Sequence, residues 1–264
     1  MEIKRPANLR SIALPVEHGG WGFLLEPILL GLILAPSLYG LLFGFAMLAL
    51  FLVHQPLKVA VKDRIKGHHV PRTIWAEGFV LFYVSLAILL ALPALLNGTK
   101  AFFVPIAAML PFILIQTFYD FRNESRAMLP ELSGAIALSA SVAAIVILGG
   151  WELLPALMLY LVLVARAIPA ILLVRSFFRK IRGKPASIPL TYSAHFTAIV
   201  LVAVIAFVRL LPWLSVVAMV ILLWRAYAAL NSPKAIAPKI LGFREMGFGF
   251  MTVVLTVIGI FLSI

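Results

Sequence analysis

Arg175, Arg179 and Arg182 stand at positions i, i+4 and i+7, a spacing that puts three guanidiniums on one narrow face of a helix. Like charges on one stripe repel unless an anion sits among them. The planar donor fork of arginine matches a phosphate or diphosphate bidentately. Lys58, Lys62 and Lys66 repeat a four-residue spacing earlier in the chain. If both stripes face one cavity, it is an anion site, with Lys58, Lys62, Arg175, Arg179 and Arg182 as its candidate ligands. The same residues equally fit the positive cytoplasmic loops of a membrane protein, lying beside anionic lipid.

An acidic group complements them. Asp120, Asn123 and Glu124, with Gln116 one turn earlier, share a helix face. Two carboxylates with an amide between them offer oxygen ligands to a hard divalent cation; the cofactor is left open, with Mg²⁺ among the cations that such ligands take. Asp63, beside the first basic stripe, joins Asp120, Asn123 and Glu124 as a candidate metal ligand. The alternative for all of them is salt bridging to Arg122, Arg126 or the basic stripes.

A third constellation lies at the start of the chain, where residues 14–27 read LPVEHGGWGFLLEP. Glu17 and His18 stand at the opening of a helix, and Glu26 lies roughly 13 Å deeper by helix rise. A carboxylate at that depth must face protein or water and find a partner. Arg166, in the middle of a later apolar run, is the candidate, which makes Glu17, His18, Glu26 and Arg166 an intramembrane polar cluster. It serves either as a clasp between helices or as a proton or substrate site. The five histidines show no pattern of haem ligation, and no zincin, Walker, dinucleotide-binding or nucleophile-elbow motif occurs. The absence of cysteine excludes disulfides and thiolate chemistry.

These residues must be positioned by elements that live in lipid. Of the 264 residues, 63% are hydrophobic and 12% charged, and the mean hydropathy is +1.10. No water-soluble domain of ordinary composition approaches this. A hydrocarbon core of about 30 Å needs roughly 20 apolar residues per helix. Apolar runs predict nine helices, near residues 15–35, 37–54, 75–96, 101–119, 131–149, 152–174, 190–208, 210–230 and 246–264. They are apolar at nearly every position, which excludes the alternating strands of a barrel. The expectation is an all-α polytopic bundle forming a single integral membrane domain over residues 1–264.

With the N-terminus in the cytoplasm and nine spans, 19 of the 22 Lys and Arg residues fall on the cytoplasmic side, as positive loops require. Lys100 and Arg209 fall outside and Arg166 falls within a span. The C-terminus is then outside. The net charge of +12 therefore points to anionic membrane lipid as partner and not to nucleic acid. The basic start is an uncleaved first helix, since no signal-cleavage pattern follows it. Two loops, Asp63–Gly67 and Arg179–Gly183, resemble each other at an offset of 116 residues. They suggest two pseudo-equivalent halves, or simply two similar helix stops.

Three stretches, residues 14–31 (LPVEHGGWGFLLEPILLG), 54–58 (HQPLK) and 119–134 (YDFRNESRAMLPELSG), resemble the YwiC-like family of prokaryotic membrane proteins over most of the chain. That resemblance implies a bacterial inner (cytoplasmic) membrane protein and carries no established activity. The layout is also similar to that of UbiA-type intramembrane prenyltransferases, with nine helices, an inside N-terminus and functional loops after the second and sixth. In that family the loops carry N-D-x-x-D-x-x-x-D and D-x-x-x-D motifs that hold Mg²⁺ and, through it, a prenyl diphosphate. Here the first stretch retains only Asp63, and Arg175 and Arg179 occupy the D-x-x-x-D spacing. Two functions follow as expectations. One is binding of a lipid-linked or prenyl phosphate or diphosphate at a basic cytoplasmic-side cavity, with or without UbiA-like transferase activity. The other is a small-solute or ion transporter, or a membrane assembly partner, using Glu17, His18, Glu26 and Arg166.

Overall fold

A computed structural model of the protein describes residues 9–15, 18–65, 67, 70–122, 124–231 and 235–264. A short helix, α1 (Leu9–Ala13), precedes α2 (His18–Leu34), α3 (Leu38–Ile65), α4 (Pro71–Asn97) and α5 (Phe103–Phe121). There follow α6 (Met128–Ser139), α7 (Ser141–Leu148), α8 (Leu153–Ile181), α9 (Ile188–Phe207), α10 (Trp213–Asn231) and α11 (Pro238–Leu262). No strand occurs among the described residues. The protein is a multi-pass membrane protein, an all-helical polytopic bundle. Among the described residues eight helical units have the length and apolar content to cross a bilayer, α6 and α7 together forming one of them. The shorter α2 accounts for the ninth apolar segment.

Burial explains why α2 tolerates being short. It packs against α3, α6, α7, α8 and α11, and Leu24 and Leu30 are fully buried. Most of its surroundings are protein, with only Leu29 and Ile33 of its large apolar side chains exposed, so its length need not match the bilayer. The other central element is α7, whose residues 142–146 are all fully buried. The outer helices instead present Leu81, Phe82 and Leu89 on α4 and Leu114 and Phe118 on α5 to their surroundings, the apolar exterior that lipid requires.

Four features differ from those read off hydropathy, each for a local reason. α3 and α8 continue well past their apolar runs, to Ile65 and Ile181. Lys and Arg are good helix formers and sit favourably at the negative end of a helix dipole. At 28 and 29 residues the two helices reach about 42 Å, more than the hydrocarbon thickness, so their basic turns emerge from it. Both stop two residues later at a glycine in the left-handed region, Gly67 at φ 67° and Gly183 at φ 64°, where a side chain would be strained. The predicted fifth span is broken at Ala140. There Ser139 Oγ donates to the Ala135 carbonyl at 2.8 Å and Ser141 Oγ to that of Leu138 at 2.7 Å, side-chain bonds that bend a helix. α11 starts at Pro238, earlier than its apolar run, because proline suits the first helical turn.

The 116-residue offset recurs in the elements. Displaced by it, α3 falls on 154–181, against 153–181 for α8, and α4 and α5 fall over α9 and α10. Basic ends converge at one end of the bundle. Lys58 of α3 donates to Ser125 after α5, Arg175 of α8 to the Arg126 carbonyl, and Lys180 of α8 to the last turn of α10 at Leu230.

Because the chain lacks cysteine, single cysteines report orientation cleanly. A cysteine at Lys184 should react with a membrane-impermeant maleimide only from the cytoplasmic side, and one at Thr99 only from the outside. The reverse pattern would overturn the orientation drawn from the basic residues.

Candidate functional site

His54, Lys58 and Lys62 recur every four residues on α3, so they form one stripe along its emerging end. The stripe faces the turn of chain between α5 and α6. His54 Nε2 meets Asp120 Oδ2 at 2.8 Å, and Lys58 Nζ donates to Ser125 Oγ. Between them opens a groove of about 530 Å³ lined by Lys58, Lys62, Glu124, Ser125, Arg126 and Ala127. A small slot of about 10 Å³, room for one water, adjoins it between α3 and α5, walled by Leu57, Val61, Thr117 and Phe121 with the His54–Asp120 pair, and it shares Lys58 with the groove. Three cations against one carboxylate leave the groove net positive, and its floor leads to an apolar wall.

Neighbouring elements brace this turn. Arg175 of α8 donates to the Arg126 carbonyl at 3.1 Å and to Glu131 Oε2 at 2.6 Å. Gly134 lets α6 approach α5 so closely that an added Cβ would stand 2.8 Å from Gln116 Oε1. On the other side, buried Asp63 accepts two hydrogen bonds from Arg72 and one from Thr73 Oγ1 at 3.0 Å. That fork fixes the α3–α4 connection and the direction of the lysine stripe.

The predicted residues are thus partly brought together. Lys58 and Lys62 share the groove, with Arg126 as an addition that the spacing argument missed. Arg175 flanks it through the Arg126 carbonyl. Arg179 turns away to donate to the Pro185 carbonyl at 2.5 Å, and Arg182 lies over the Phe178 ring at 5.7 Å. Asp63 and Asp120 sit in two separate pairs, with Arg72 and with His54, while Glu124 lines the groove. Among the described residues no three His, Asp or Glu side chains converge as a metal centre. Asn123, Lys66, Glu17 and the His18 side chain lie outside the described residues.

Inside the bundle, Glu26 and Arg166 meet, with Arg166 Nη2 at 2.9 Å from Glu26 Oε1. The same nitrogen donates to the Glu245 carbonyl at 2.6 Å, and the Glu245 side chain pairs with Arg225. All four residues are at least 93% buried. Phe23 covers the Arg166 guanidinium at 4.9 Å and Phe248 covers that of Arg225 at 5.1 Å, adding cation–π attraction where water is excluded. Gly249 makes the junction possible, since a Cβ there would collide with both Glu26 and Arg166. Sequence reasoning counted Arg225 among the surface cations of the cytoplasmic face. Its position inside the apolar run of α10 was the available signal, as was Glu245 four residues before Gly249.

Such a pair contributes little net stability while intact, but removing one member strands a buried charge. Glu245→Ala is expected to cost about 3–5 kcal/mol, read as a lowered unfolding midpoint in lipid nanodiscs. Arg225→Met combined with Glu245→Met should recover most of that loss. A double variant as unstable as the sum of its parts would contradict the pairing.

Neither the curated proteins nor the solved structures contain a significant match to this chain. The family model of the YwiC-like protein matches residues 14–146, just over half of the 264 residues. The matched span carries Glu26, His54, the groove lysines, Asp63, Asp120 and Arg126. The chain belongs to the YwiC-like family.

Proposed function

We propose that the protein binds the diphosphate head of a prenyl or other membrane lipid in the groove between α3 and the α5–α6 turn. The observation that carries this reading is the union of a cationic groove, lined by Lys58, Lys62 and Arg126, with the apolar side chains of Leu57, Val61 and Phe121 that adjoin it beside Lys58. An amphiphile has the same division. Its anionic head gains charge-assisted hydrogen bonds from ammonium and guanidinium donors, and these strengthen near lipid, where the local dielectric is low. The groove volume lies within the range of sites that take a small ligand. Its tail would run against Phe118 and Phe121, both half-exposed on α5.

Arginine and lysine would contact the phosphates directly here, in place of the Asp-rich Mg²⁺ clamp of UbiA-type enzymes. The basic face belongs to the cytoplasmic leaflet of the bacterial inner membrane in this reading, with the N-terminus inside. The charges of α2, α8, α10 and α11 are enclosed by Phe23, Phe248 and Gly249, and we assign them to joining helices and not to conducting a solute.

The test is a thermal-shift titration of the purified protein with geranylgeranyl diphosphate, with and without Mg²⁺. Inorganic diphosphate, phosphatidic acid and phosphatidylglycerol serve as separate arms. Saturable stabilisation should appear with the prenyl diphosphate, about 2.7 kcal/mol at 100 times the dissociation constant, and not with phosphatidylglycerol. Lys58→Ala and Arg126→Ala should each weaken binding by about 10-fold or more, the worth of a charged hydrogen bond. Equal response to every anionic lipid, or affinity indifferent to these substitutions, would overturn the proposal.

A further inference from the structure

His54 stands one helical turn before Lys58 on the same stripe, and its pairing with Asp120 fixes its chemistry. With Nε2 held against Asp120 Oδ2 at 2.8 Å, the imidazole proton belongs on Nε2, and the lone pair is left on Nδ1. Nδ1 has no hydrogen-bond partner among the described residues. The His54 side chain is 32% exposed and that of Asp120 14%, so the ring remains accessible while its carboxylate partner is sheltered. Both line the small slot that shares Lys58 with the cationic groove. A carboxylate orienting an imidazole whose other nitrogen is free is the arrangement of an oriented general base.

We infer that the His54–Asp120 pair makes this site hydrolytic toward a lipid diphosphate, an inference that rests on the binding reading above. Nδ1 takes a proton from a water molecule, and the water oxygen forms a bond to the terminal phosphorus. The bond between that phosphorus and the bridging oxygen breaks, and the lipid monophosphate leaves with the electron pair. Its oxygen is that of a phosphate, a weak base, so no acid need protonate it. Lipid diphosphate and water yield lipid monophosphate and inorganic phosphate, and the proton on His54 returns to the released phosphate or to water. No oxidant or second substrate is needed. Lys58, Lys62 and Arg126 offset the charge on the transferring group, which in phosphoryl transfer is the larger part of catalysis. His54 is the catalytic residue and Asp120 a positioning residue.

The experiment measures inorganic phosphate released from geranylgeranyl diphosphate by the full chain in detergent–lipid micelles, beside the thermal-shift titration on the same samples. The wild-type protein should release phosphate. His54→Ala should lower kcat by about 100-fold or more while the ligand still stabilises the protein, and added imidazole should restore part of the rate. Asp120→Asn should lower kcat with KM nearly unchanged, a split that a merely structural pair would not produce. Stabilisation by the ligand without phosphate release, or release unaffected by His54→Ala, would overturn the hydrolytic inference and leave the binding proposal standing. Absence of both stabilisation and release would overturn both.

Discussion

A charge placed among apolar helices must be neutralised where it stands, and the Glu26–Arg166 and Arg225–Glu245 pairs meet that constraint jointly. Arg166 touches Glu26 through one nitrogen and the Glu245 carbonyl through the same nitrogen, so α2, α8, α10 and α11 are held at one point. Every other feature is arranged around it. α2 can be short because it is clasped at its middle. α11 can lie against α2 because Gly249 has no side chain at the crossing. The pairs are a constraint on arrangement more than a store of stability, since desolvation offsets most of the attraction between buried charges. A misdocked helix would leave a charge without its partner.

The groove depends on this frame indirectly. α8 is anchored inside the bundle by Arg166 and reaches the surface about two and a half turns later at Arg175, where it grips the α5–α6 turn through the Arg126 carbonyl and Glu131. α3 is fixed from the other side by the Asp63 fork. Lys58, Lys62 and Arg126 therefore face one another from elements separately secured to the core. The family match spans the groove residues and Glu26, while Arg166, Arg225 and Glu245 lie beyond it.

Much of the architecture was legible in hydropathy because apolar runs of about 20 residues have few other uses. All nine segments appear as helices. Depth also made Glu26 and Arg166 legible as partners, since each was too deep in its run to be solvated. What pattern reading lacked was side-chain direction at helix ends. Arg175, Arg179 and Arg182 do share a stripe, yet long flexible side chains diverged to the Arg126 carbonyl, the Pro185 carbonyl and the Phe178 ring. The His54–Asp120 contact joins residues 66 positions apart and has no local signature. For the Arg225–Glu245 pair only half of the signal was local: Arg225 sits inside the apolar run of α10, whereas Glu245 lies near the start of its own run and resembles a charge at a helix end.

The central claim is that one place on this membrane-embedded surface, the cleft between α3 and α5, selects a diphosphate-headed lipid. Photocrosslinking tests it most directly, using a prenyl diphosphate with a diazirine in its first isoprene unit, added to the protein in nanodiscs and followed by peptide mapping. The account predicts labelling concentrated on the C-terminal half of α3, which carries Lys58 and Lys62, and on α5 near Phe121, and abolished by excess unlabelled geranylgeranyl diphosphate. Labelling spread over the exposed apolar faces of α4, α9 and α10, and insensitive to competition, would contradict it.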